Sequence, residues 1–88
     1  MLQDIEALIS SDRLDEAREA LDKYINDNPS DARALFLRGK VNWRLGDRSA
    51  AQNDYMASAA IEPDGPARAA LDYARDIESF FNPDLLNP

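Results

Sequence analysis

Cysteine and histidine are both absent from the 88-residue chain. That removes disulfides, thiolate nucleophiles, the usual zinc ligands and the commonest general base at neutral pH. The three glycines lie far apart, so no glycine-rich loop can cradle a phosphate. Apolar runs fall far short of the roughly 20 residues that cross a bilayer, and the chain opens on an acidic, polar segment rather than a leader, so the cytoplasm is the expected compartment. Positive charge is in the minority: ten Lys and Arg stand against 17 Asp and Glu, a net charge of −7. Such a mean field repels phosphate and argues against nucleic acid and anionic membranes as partners. Carboxylate pairs such as Glu16 and Glu19, or Asp72 and Asp76, are spaced to share a helix face but have no apolar pocket to split their pKa values, and read as solvated surface. The oxygen-rich run Asn26-Asp27-Asn28-Pro29-Ser30-Asp31 lacks the glycine of a calcium loop, and its proline also spoils the glycosylation triplet. No catalytic residue, metal site or cofactor is expected.

What the chain does contain is a period. Ala17 and Ala51 are 34 residues apart, and so are Pro29 and Pro63. Repeats of this length are built as helix-turn-helix units, each burying its apolar face on a neighbour. Apolar residues recur three and four apart, as in Leu14, Ala17, Leu21, Tyr24 and Ile25, and again in Ala67, Ala70, Leu71, Ala74, Ile77 and Phe81. No segment alternates long enough for a strand. The pattern predicts an all-α chain with helices over 2–10, 13–27, 31–45, 48–61 and 66–81. Pro29 and Pro63 end the two hairpins. Gly46 is placed to close a helix in left-handed conformation, Asp47 to cap the next, and Asp12 with Asp15 to start the second helix likewise. Pro66 suits the first position of the last helix.

Residues 32–65 supply, in order, a large apolar Leu35, the small Gly39, a Gly46-Asp47 turn, the small Ala51, the aromatic Tyr55 and the terminal Pro63. At these spacings the unit resembles the tetratricopeptide repeat (TPR) family. It departs where Arg38 replaces a leucine, Asn42 an aromatic and Ser58 an alanine. Residues 1–31 form a more degenerate copy, with Ile5 at the small position, followed by Ala17, Leu21, Tyr24 and Pro29. The resemblance implies a right-handed α-α superhelix of two helical hairpins (1–31 and 32–65) closed by a capping helix (66–81), with 82–88 as an extended tail. Arg38 has no obvious partner and is expected to lie along the convex face.

In proteins of this kind, the first helix of each repeat lines a concave groove that holds a peptide or a partner's helix. Carried over position by position, the groove comprises Arg33, Phe36, Lys40, Trp43 and Arg44, joined by Leu2, Glu6, Ile9 and Ser10 from the preceding unit and by Ala67, Ala70, Ala74 and Ile77 from the terminal helix. Arg33, Arg38, Lys40 and Arg44 fall on a segment with no acid between Asp31 and Asp47. An aromatic floor flanked by cations suits a partner segment that is apolar with acidic character. Core packing of Phe36 and Trp43 on the last helix is the competing assignment. Leu2, Glu6, Leu37, Ala67 and Leu71 occupy the places where some family members carry a Lys and Asn clamp for a terminal carboxylate, so that clamp is not expected. The tail holds Leu85 and Leu86 between Pro83 and Pro88. These leucines are candidates for docking back into the groove of the same chain or of a second copy, with Asp84 or the terminal carboxylate meeting Arg33, Lys40 or Arg44. Two functions follow: a protein-binding adaptor, or a self-assembling unit, for instance a homodimer, whose groove is filled from within.

Overall fold

Five helices form where apolar residues recur at three and four: α1 (Leu2–Ser10), α2 (Leu14–Asp27), α3 (Ala32–Arg44), α4 (Arg48–Ile61) and α5 (Pro66–Phe81). The structure of the protein, a computed structural model, describes the backbone of residues 1–81 and the side chains of residues 1–76. Among the described residues there is no strand, and no helix is long and apolar enough to cross a membrane. The expected tail, with Leu85 and Leu86, lies outside the described residues.

The 34-residue period is written into the backbone. Helix α4 begins and ends 34 residues after α2, α3 ends 34 after α1, and α5 begins 34 after α3. The turns match as well. Gly46 has φ +89°, the left-handed conformation that closes α3, and 34 residues earlier Asp12 has φ 64° after α1. Asp12 is therefore not the side-chain cap expected for α2. Its carboxylate turns away to accept from Arg44, and α2 starts after Arg13 with no side-chain cap. Asp is among the few side chains that enter this conformation readily. The later repeat does follow expectation: Asp47 accepts from the Ala50 N–H at 3.2 Å. Asp31 caps α3 in the same way through Ala34, at 3.1 Å, so that α3 begins at Ala32.

Two apolar clusters hold the helices together. Ile5, Ala17, Leu21, Ile25, Ala34, Leu35, Leu37 and Val41 join α1, α2 and α3. Ala51, Tyr55, Ala67 and Leu71 join α4 to α5, with Phe36 and Trp43 of α3 packed against them. Ala17 and Ala51 have no exposed surface. Substituents larger than methyl at these points would push the helices apart. The tightest approach is between α3 and α4. A side chain on Gly39 would meet the Tyr55 ring at 2.5 and 2.6 Å, so the ring fills the space that glycine leaves empty.

The three departures from the repeat pattern share an explanation. Arg38 does not lie unpaired along the surface: it forks onto Asp54 through Nε–Oδ2 (3.0 Å) and Nη2–Oδ1 (2.7 Å), and reaches Asp22 at 3.1 Å. Asn42 donates to the same Asp54 at 2.9 Å and accepts from Arg18 at 3.4 Å. Ser58 donates to the backbone carbonyl of Ala32 at 2.7 Å, which ties α4 to the start of α3. Asp54 is buried, and its carboxylate holds the Arg38 guanidinium still more firmly protonated than usual. No buried side-chain polar atom lacks a partner among the described residues.

A buried ion pair is costly to break from one side, because the remaining charge stays desolvated. Asp54→Ala should therefore destabilise by about 2–4 kcal/mol, whereas Arg38→Leu, Asn42→Leu and Asp54→Ala combined should come within about 1 kcal/mol of wild type, both read from urea midpoints at unchanged slope. Gly39→Ala should cost roughly 1–3 kcal/mol by overpacking against Tyr55, and adding Tyr55→Leu should recover part of the loss.

Candidate functional site

Helix α3 is short of acids and carries its two largest aromatics seven residues apart, two helical turns, which places Phe36 and Trp43 on one side. Both are half-buried. Their lower faces rest on the second cluster, and Phe36 leans on Tyr55 with ring centroids 6.0 Å apart at 39°. The core and the surface thus share these rings, and the two sequence assignments are not exclusive.

Cations sit over the aromatic surfaces. The Arg33 guanidinium carbon is 5.9 Å and the Lys40 ammonium 5.5 Å from the Phe36 centroid, and the Arg48 guanidinium carbon is 4.9 Å from that of Trp43. Arg48 was not among the residues marked in the sequence, since it follows the turn after α3 and belongs to no shared helix face. Arg33 is also paired with Glu6 at 2.6 Å, and Arg44 with Asp12. These two pairs bridge the α1 segment to α3. All four side chains are well exposed, and exposed pairs contribute about 0–1 kcal/mol, so an incoming carboxylate can compete for either arginine. Lys40 and Arg48 have no ion pair among the described residues.

The remaining candidates divide by burial. Leu2 and Ile9 are half-buried against the first cluster, and Ala70 is half-buried against the second. Ala67 and Ala74 are fully enclosed, at 0% and 1% exposure, so these two alanines pack the core beneath α5 rather than face outward. Ile77 lies on α5, and its side chain falls outside the described residues.

A small hollow of about 110 Å³ opens beside Phe36, lined by Ala32, Arg33, Phe36, Ser58, Glu62 and Pro66. It forms where the start of α3, the end of α4 and the start of α5 meet. Ser58 and Glu62 belong to α4 and its terminus, which no reading of first-helix positions would select. Two other hollows lie away from the aromatic face. One, about 330 Å³ and mainly apolar, runs between α1 and α2 beside Leu8 and Tyr24; the other, about 530 Å³, is lined by the Arg38–Asp54 network. Among the described residues no group of His, Cys, Asp and Glu is placed to hold a metal ion.

Searches against protein-family models, curated proteins and solved structures returned no match to this chain. Its function is therefore argued from its own residues.

Tyr55 supports the aromatic face from below, and its ionisation reports on that support. Burial, then the nearby Asp54 charge, push its phenol above the ordinary value of 10.0. Tyr24 is raised as well, first by its 2.8 Å hydrogen bond to Asp31. With the folded pKa above the unfolded one, the stabilisation is complete below pH 10 and is lost as pH rises from there through the folded pKa. The urea midpoint should fall from about pH 9.5 upward, and Tyr55→Phe should flatten that fall.

Proposed function

We propose that the chain is a protein-interaction module of TPR type, holding a segment of another protein along the side formed by α1, α3 and α5. The observation that carries this reading is the pair of half-exposed rings, Phe36 and Trp43, each overlaid by a cation, Lys40 or Arg48, that has no ion pair among the described residues. Aromatic and arginine side chains are the residues that most often anchor protein interfaces. A cation parked on an aromatic ring is desolvated on one side and ready to meet a carboxylate on the other. The partner segment is accordingly apolar with acidic character, its apolar part over the rings and its acid at Lys40 or Arg48. The exact repeat of helix boundaries supports the arrangement, since stacked hairpins leave one side of each first helix without a neighbouring helix. The acidic chain as a whole favours a protein partner over phosphate-bearing polymers.

On this reading Trp43→Ala removes an anchor while leaving most of the core in place. Partner capture from the source cell should drop about 30-fold or more in affinity with far-ultraviolet helicity nearly unchanged, the usual size of a hot-spot loss of about 2 kcal/mol. Capture that is equally strong with Trp43→Ala would refute the reading. Assembly that grows with concentration in light scattering, and disappears on removal of residues 82–88, would instead favour a module that fills its own binding side.

A further inference from the structure

We infer that the binding side reads the charge order of its ligand: one aliphatic side chain enters the hollow beside Phe36, a basic group lies next to it at Glu62, and an acidic group lies three or four residues away at Arg48. This inference rests on the proposed binding function and specifies its ligand.

The hollow is sized for a side chain. At about 110 Å³ it is somewhat smaller than an engineered cavity of about 150 Å³ that takes benzene, and it suits the branched end of a leucine, isoleucine or valine. Its walls are the Ala32 methyl, the Phe36 ring and the Pro66 ring, and its one polar wall residue within the core, Ser58, is already satisfied by the Ala32 carbonyl. An occupant meets a wall that is mostly apolar. An apolar one displaces water from apolar walls at no cost in hydrogen bonds.

The rim carries unbalanced charge of opposite sign at its two ends. Beside the hollow, Arg33 is paired with Glu6, and the exposed Glu62 carboxylate has no hydrogen-bond or ion partner among the described residues. The adjoining turn residue Asp64 adds to the negative side. At the other end of α3, Arg44 is matched by Asp12 and Asp47 is engaged as the α4 cap, while Arg48, and Lys40 between the two ends, have no ion pair among the described residues. Complementary charge of this kind sets orientation and register more than raw affinity.

The spacing follows from helix geometry. Ala32, Arg33 and Phe36 of α3 line the hollow, and Arg48 sits over the Trp43 ring farther along the same helix. At a rise of about 1.5 Å per residue, Trp43 is roughly 10–14 Å along the axis from Phe36 and from the middle of that lining. An extended segment advancing about 3.3 Å per residue covers that span in roughly three to four residues.

A displayed library of random dodecapeptides, selected on the immobilised full chain, tests the inference, with affinities of the synthesised, dye-labelled winners followed by fluorescence anisotropy, a signal that survives removal of Trp43, the single tryptophan. The expected winners carry Leu, Ile or Val beside Lys or Arg, with Asp or Glu three or four residues away. Glu62→Lys, an exposed change that leaves the core alone, should weaken them about tenfold, and replacing the peptide's basic residue by Glu should restore binding to that variant. Ala32→Leu, which fills the hollow, should abolish preference for the aliphatic residue. Winners that lose binding with Trp43→Ala yet show no charge order, or ignore Glu62→Lys, would overturn the inference and leave the binding side intact. A library with no winner above background would overturn both.

Discussion

Helices α3 and α4 can lie as close as they do because Gly39 has no side chain and Tyr55 occupies the vacated space. That contact determines more than local packing. Tyr55 in turn supports Phe36, and both rings belong with the cluster on which α5 settles through Ala67 and Leu71. The angle between the second hairpin and the last helix, and the height at which the aromatic face stands above the core, therefore trace to one missing methyl group. Aromatic rings are rigid and bury large areas, so a small displacement of Tyr55 is passed on rather than absorbed.

Around that contact the chain places polar groups where a repeat of this length ordinarily places apolar ones. Arg38, Asn42 and Ser58 would each be a defect alone, since an unpartnered buried polar group costs about 1–3 kcal/mol. Together with Asp54 and Ala32 they satisfy one another across α3 and α4, and Arg18 and Asp22 extend the set to α2. An apolar seam tolerates sliding, whereas a forked Arg–carboxylate pair has one good geometry. The network is thus positioned to set the register of α2, α3 and α4, with the apolar clusters supplying most of the stabilisation.

The aromatic side of α3 shows how a small domain makes one residue serve two ends. Phe36 and Trp43 are too large for a chain of this length to leave wholly outside the core, and too close to its edge to be wholly enclosed. Their half-burial fixes the rings, which would lower the entropy lost on covering them in the proposed complex. Of the cations above them, Lys40 and Arg48 have no ion pair among the described residues, which keeps positive charge available on an acidic protein.

Period and spacing alone determined the five helices, their ends to within a residue, the left-handed glycine after α3 and the cap at Asp47, because these depend on interactions between residues a few positions apart. They also determined which side of α3 carries the aromatics. Tertiary structure alone decided where Arg38 and Asn42 send their polar groups, that Asp12 pairs with Arg44 instead of capping α2, that Ala67 and Ala74 face inward, and that Arg48 and Glu62 border the candidate site. Apart from Arg48, which reaches Trp43 five residues back across the turn between α3 and α4, each of these rests on a side chain 12 to 32 residues away, or on a helix packed from outside the repeat, and no local spacing encodes such a meeting.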